Sequence, residues 1–330
     1  MGYTVERADL RGWAKEVGNV ASDIRSAHDY AQSNIADGDF GRILELITDP
    51  YEQMIPKFHE VLREDHTRLQ KTSKALVAAE RTYKDMEDAA RNDFTKLDKG
   101  DPGRVEDDGE SKSFSHQDGS AELTAPSSEV GPPPEVSFGF ALDKVCELVS
   151  YVGGPDIREE VAKWITGDTE KAARQADAWN KLAACTDVSK ENLAKGQQVI
   201  DGTWSGDGAT AARKQIQKWL EALGDQASGM RKMSEHLLDS TKQALQMAQV
   251  VVDIVKTVVD LASAALSNAA IPGYGQWKLI KSAKEAVQMI WKAIKVIKVF
   301  WDALKMIIDS IKMIANQITL ESLPPAPKAA

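Results

Sequence analysis

The chain has 330 residues, a formal net charge of -9, and 42% hydrophobic but only 6% aromatic residues. That length allows one large or two ordinary domains, and the composition suits a helical protein built from Ala, Leu, Lys and Glu. The acidic balance excludes nucleic acid as the main partner, and Cys146 and Cys185 are too few for a disulfide framework. Both cysteines read as small buried hydrophobes, with a single bridge as the alternative.

Residues 5–35 place Leu10, Trp13, Val17, Val20, Ile24, Ala27, Ala31 and Ile35 at spacings of three and four, which predicts a helix. Asp37-Gly38-Asp39-Phe40-Gly41 breaks it. Asp49-Pro50 then reads as a cap followed by a first-turn proline, and 51–96 as a second helix that Pro56 kinks or delays. Its apolar face runs from Met54 and Phe58 through Leu69, Leu76 and Tyr83 to Met86, Ala90, Phe94 and Leu97.

The stretch 98–137 holds ten Asp/Glu against three Lys/Arg, with the run Gly131-Pro132-Pro133-Pro134 and no apolar periodicity. It reads as a disordered acidic linker. Short helices are expected at 138–153 and 156–165. Asp168-Thr169-Glu170 then caps a long helix carrying Ala172, Ala176, Trp179, Leu182, Leu193 and Ile200. Beyond a turn at 201–207, residues 208–267 run helical without a proline, and Asn268 to Gly275 forms another turn.

Residues 276–318 carry eight Lys against three Asp/Glu and a heptad seam. Its members are Ile280, Ala283, Val287, Ile290, Ile294, Ile297, Trp301, Leu304, Ile308, Ile311, Ala315 and Ile318. A broad apolar face rimmed by lysines has three readings: a core or oligomer seam, an anionic lipid surface, or an acidic partner. Trp291, Lys292, Lys295, Lys298 and Trp301 are the candidate membrane or partner face. The tail around Leu323-Pro324-Pro325-Ala326-Pro327 is expected to be disordered.

No cleavable signal peptide is expected, because Met1 to Asp9 has no apolar run behind a basic start. The most apolar stretch, Val250 to Leu266, is interrupted by Asp253, Lys256 and Asp260 on one stripe, so it is not expected to span a membrane. His59-Glu60 opens like a zinc-hydrolase helix, but Arg63 stands where the second His belongs. No phosphate loop, nucleophile elbow or cysteine cluster is present. No enzyme activity, cofactor or metal is expected.

Two short motifs remain. Asp201-Gly202-Thr203-Trp204-Ser205-Gly206-Asp207-Gly208-Ala209 makes a tight turn between two long helices, with an aspartate to cap the second. Trp204 there either packs across the hairpin or offers a rigid surface to a partner. Tyr83-Lys84-Asp85-Met86-Glu87 puts Tyr83 and Glu87 one turn apart on one helix face, just before the linker.

Together with Asp118 to Thr124, Gly167-Asp168 and Ala176 to Asn180, these stretches make residues 5–250 resemble the actinobacterial type VII (ESX) secretion substrates. The likeness is to the Trp-x-Gly, PE–PPE-like class, with an EspB-like single-chain layout and an EspC-like N-terminal hairpin. The resemblance implies that Tyr83 and Glu87 form the export signal, that Trp204 and Gly206 form the turn beside it, and that the chain pairs with a secretion ATPase. It also implies self-association and a secreted or cell-envelope location. The lysine-rich helices after 245 depart from the class.

The expected fold is all-α: two long antiparallel hairpins in an elongated four-helix bundle, plus a C-terminal amphipathic heptad helix. The expected units are a signal-bearing hairpin over 1–97, the linker over 98–137, a Trp-x-Gly hairpin over 138–268, the basic helix over 269–320 and the tail over 321–330. The expected function is that of a secreted, non-enzymatic scaffold that oligomerises and associates with membranes. The alternatives are a membrane-active effector using helices 245–318 and an intracellular coiled-coil scaffold.

Overall fold

A computed structural model describes residues 4–98, 111, 113–134, 143, 145, 146, 149, 166–268 and 274–327. Five long helices carry the fold: α1 (Arg7–Asn34), α2 (Glu45–Asp98), α3 (Thr169–Asp201), α4 (Asp207–Asn268) and α5 (Tyr274–Gln317). The described residues form no strand, only an isolated bridge between Val5 and Trp204. The short helices expected at 138–153 and 156–165, and the turn after Asn268, lie almost wholly outside the described residues.

The helices form where the apolar period is three to four, and they bury the stripe it predicts. On α1, Leu10, Trp13, Val17, Val20, Ile24, Ala27 and Ala31 are all fully buried. Asp168 caps α3 by accepting from the Lys171 amide at 2.7 Å. At the first hairpin's turn, Gly41 lies against Gly167, and the amide of Asp168 donates to the Phe40 carbonyl at 2.9 Å. The turn of one hairpin thus seats the entry of the other.

α2 departs from expectation at both ends. It starts at Glu45, ahead of the cap read at Asp49, and carries Pro50 and Pro56 inside it. At its far end the apolar face leaves the core after Tyr83: Met86 is 51% exposed and Ala90 is exposed. The last turns of α2 therefore overhang the bundle.

Two cores result. One holds Leu10, Trp13, Val17, Leu69, Leu76, Leu193, Trp204, Ile216 and Trp219 at the end where α3 turns into α4. The other runs from the opposite turn along α4 and α5. There Trp179 donates to the Tyr51 hydroxyl at 2.7 Å, and Tyr51 donates to Gln175 at 2.6 Å. Between α2 and α4, Asp65 and Gln226 are buried with no well-formed hydrogen bond to either side chain.

α5 closes its seam within the chain, against α4 and α2. The buried series is Leu279, Ala283, Ala286, Ile290, Ala293, Ile297, Phe300, Leu304, Ile307, Ile311, Ile314 and Ile318. Half of the expected seam is thereby displaced by one residue: Ile280 is exposed, and Val287, Ile294, Trp301 and Ile308 are only half-buried. The seam rotates by roughly 50°, half of one residue's turn. In the contact Ala286 and Ala293 take the places expected for Val287 and Ile294, whereas Ile314 takes that of Ala315. At the close end, Gly229 of α4 faces Ile318 and Ile314.

Two stretches read as disordered are seated on the bundle. Residues 113–134 cross α1 and α3. Phe114 fills a notch left by Gly12, where an added Cβ would lie 2.5 Å from its ring. His116 stands between two buried carboxylates, with Nδ1 at 2.9 Å from Glu16 and Nε2 at 3.3 Å from Asp23. Asp23 also accepts from the Gly119 amide at 3.2 Å, and Asn192 of α3 brackets Gln117 through its amide and carbonyl. Burial pulls His116 down, but the Glu16 hydrogen bond and the Asp23 charge outweigh it and hold the imidazole above its ordinary value. Low hydrophobicity misled the sequence reading here, because the segment is held by polar clasps rather than by an apolar stripe. The second stretch is the tail, where Leu323 and Pro324 are buried.

Candidate functional site

The end of the bundle where α3 turns into α4 gathers the two motifs. α3 closes with the amides of Thr203 and Trp204 both donating to the Ile200 carbonyl. Gly206 then takes φ 103°, a region that side-chain-bearing residues rarely adopt, and α4 starts at the next residue. The aspartate expected to cap α4 does not do so, since the residue before Asp207 is Gly206. Asp201 instead pairs with Arg213, which also donates to the Trp204 carbonyl at 2.6 Å. Gly206→Ala is expected to cost roughly 1–3 kcal/mol through this backbone strain alone. A urea midpoint unchanged from wild type would show that the turn does not need the left-handed residue.

The indole of Trp204 is 3% exposed and sits between two aromatic rings. Trp13 of α1 and Tyr83 of α2 each meet it edge-on, with centroids 6.2 Å away. Its Nε1–H donates to the Tyr83 hydroxyl at 3.2 Å, which joins the two motifs across 121 residues of sequence. Gly208 keeps the place open, because a Cβ there would meet the Tyr83 hydroxyl at 3.1 Å and the Trp204 ring at 3.3 Å.

Glu87 comes to the same end but not to the tryptophan. Its carboxylate pairs with the Arg7 guanidinium at 2.9 Å, and Arg7 and Arg11 both reach Glu80, about two helical turns back. The N-terminal segment is pinned to the turn as well. The Glu6 amide donates to the Thr203 carbonyl at 2.9 Å, and the Ser205 amide to the Thr4 carbonyl at 2.8 Å. Sequence reading missed Thr4, Arg7, Trp13 and Arg213. Trp13 was legible as a member of the α1 stripe, whereas nothing in the sequence marks the N-terminal bridge.

Beside the ring pair, α2 and α4 bound a cleft of about 340 Å³, lined by Leu76, Ala79, Tyr83, Trp204, Ile216 and Pro327. It is apolar and contains no acid–base pair. Cys185 is buried and its thiol is pushed up to about 12, mainly by burial, so it is no nucleophile; neither it nor Cys146 is in a disulfide. Among the described residues no group of three His, Cys, Asp or Glu side chains could hold a metal ion.

The other candidate surface lies on α5. Trp291, Lys292, Lys295 and Lys298 are exposed, in line with Trp277, Val299, Met306 and Met313, while Trp301 turns in toward the core. Trp301 is half-buried against the core at the margin of that face. Among the described residues no helix is long and apolar enough to cross a membrane.

These features define an all-helical elongated bundle with a two-motif tip and a lysine-rich flank. No protein-family description matches the chain. No curated protein matches it either. Among solved structures, the crystal structure of EspB from the ESX-1 type VII secretion system aligns with 99% of this chain and 97% of that one, at 11% identity and a TM-score of 0.34. A likeness at that level carries no function across.

Proposed function

We propose that the chain is a non-enzymatic type VII secretion substrate, exported folded, that docks on the export machinery through the tip built from Tyr83, Glu87, Trp204 and Gly206. The observation that carries this reading is the 3.2 Å hydrogen bond between Trp204 and Tyr83. It brings a Tyr-x-x-x-Glu helix end and a Trp-x-Gly turn to one place, which is the composite tip that the motif resemblance implies. The overhanging end of α2 offers a secretion ATPase an exposed helix, while Arg7 and Trp204 fix how Glu87 and Tyr83 are presented. In this reading 1–97 is the signal-bearing hairpin, 98–137 the acidic linker, 138–268 the Trp-x-Gly hairpin, 269–320 the basic helix and 321–330 the tail. The destination is the cell envelope or the medium.

A second element of the proposal is a scaffold role at an anionic membrane surface. Its support is the outward face of α5, where Trp277 and Trp291 stand 62% and 56% exposed among lysines. Apolar side chains rimmed by lysine suit an interfacial helix. Self-association belongs to the same reading.

The test is export. Tagged wild type and Tyr83→Ala are expressed in the native host, and culture filtrate and lysate are compared. Wild type is expected in the filtrate, with the variant retained and its helicity unchanged. Undiminished export of Tyr83→Ala overturns the assignment.

A further inference from the structure

The tail after α5 follows the groove between α2 and α4 toward the tip. It leaves a single 3₁₀ turn at Leu320–Ser322 and enters extended backbone, with Leu323 at φ −76°, ψ 141°. These are polyproline II angles, and Pro324, Pro325 and Pro327 keep the chain in that region. Leu323 and Pro324 bury their side chains. Arg68 of α2 directs one Nη1 at three tail carbonyls: Leu320 at 3.4 Å, Leu323 at 3.3 Å and Pro324 at 3.4 Å. From the other wall, Gln215 of α4 donates to the Pro325 carbonyl at 2.8 Å. Two residues on, Pro327 lines the same cleft as Tyr83 and Trp204.

The manner of holding matters as much as the place. Both clasps come from side chains of the helices to carbonyls of the tail, and the three prolines have no N–H to offer in return. Three of the four hydrogen bonds radiate from a single guanidinium nitrogen at long range. Arg68 is meanwhile shared with Glu64 at 3.2 Å. The segment is therefore seated specifically yet lightly, and at Pro327 it forms part of the cleft's wall.

We propose that residues 320–327 are an intramolecular guard of the Tyr83–Trp204 cleft. Arg68 and Gln215 hold this chain's own tail in the α2–α4 groove, and a partner that reads Tyr83 in the cleft enters by displacing that tail. This inference rests on the docking reading of the tip given above.

The full-length chain tests it through a thiol placed in the cleft. In a Cys146→Ser background, Ala79→Cys on the α2 wall is labelled with a maleimide, with Cys185 silent because it is buried. Adding Arg68→Ala and Gln215→Ala removes both clasps and is expected to raise the labelling rate roughly tenfold or more, since each lost hydrogen bond favours local opening. Ala212→Cys, half-buried on the facing wall, repeats the measurement should the first thiol disturb folding. An unchanged rate at both positions overturns the guard.

Export of the clasp-free chain is the second readout. It is expected to equal or exceed wild type, and to be lost again when Tyr83→Ala is added. Faster labelling with reduced export overturns the guard and makes the tail part of what the partner reads. If Tyr83→Ala alone is exported normally, the docking reading fails, while the labelling result still reports whether the tail covers the cleft.

Discussion

Trp204→Ala is expected to destabilise the protein by roughly 3–5 kcal/mol, the usual cost of removing a buried aromatic, and to reduce export to the level of Tyr83→Ala. The stability term follows from position. Trp204 fills the space between Trp13 and Tyr83 and donates its indole N–H to the Tyr83 hydroxyl. The hydrogen bond is separable from the packing. Trp204→Phe keeps most of the ring volume and removes the donor. Tyr83→Phe removes the acceptor and leaves the indole N–H unpaired, a cost of about 1–3 kcal/mol.

A double-mutant cycle of these two phenylalanine variants, followed by urea unfolding, isolates the pair. A coupling energy near 1 kcal/mol is expected. A coupling of zero would show that the two motifs meet by proximity alone. The bundle supplies its own comparison. Trp179 and Tyr51 make the same donor–acceptor pair in the main core, where Tyr51 is wholly buried. Tyr83 is only half-buried. The same chemistry is structural at one end and presented to solvent at the other, so Trp179→Phe is expected to lower stability and leave export alone.

Asp65→Asn is expected to stabilise the protein at neutral and alkaline pH and to remove most of the fall in stability above pH 4. Asp65 is fully buried, and its carboxyl is pushed up to about 8. Burial is the main cause. The Gln226 amide and the Arg68 charge favour ionisation but do not offset it. Neither carboxylate oxygen has a well-formed hydrogen bond, so the group stays protonated in the folded chain at pH 7. In the unfolded chain it is ionised, because an ordinary aspartate titrates near 3.8.

Between these values the folded state binds the extra proton, so raising the pH favours unfolding by up to about 1.4 kcal/mol per unit. The loss starts near pH 4 and levels off above about 8. Over that window it amounts to several kcal/mol, since each pH unit adds its own increment. Asparagine keeps the size and has no proton to lose. Chemical denaturation of both proteins from pH 5 to 9 is the measurement. Parallel curves for wild type and variant would show that Asp65 does not govern the slope.

The sequence alone determined that this chain is helical, where its long helices lie, and that it has two short motifs worth following. The cause is local: the 3.6-residue period, the glycine turn at 201–208 and the Asp168 cap act within a few residues of each other. The sequence also held both halves of the tip. That they meet was implied only by the motif resemblance, because a contact between Tyr83 and Trp204 depends on how two hairpins align, and helical period is blind to that.

Other outcomes were decided by long-range packing. Half of the α5 seam slid by one residue, since which flank of a broad apolar face is buried depends on the helices it packs against. The acidic segment and the proline-rich tail, both without apolar period, are ordered over 113–134 and 318–327 by clasps from His116, Asn192, Arg68 and Gln215 to partners far away in sequence. Composition records how much apolar surface a segment brings, whereas order in these two segments comes from individual polar side chains that only the assembled bundle places within reach.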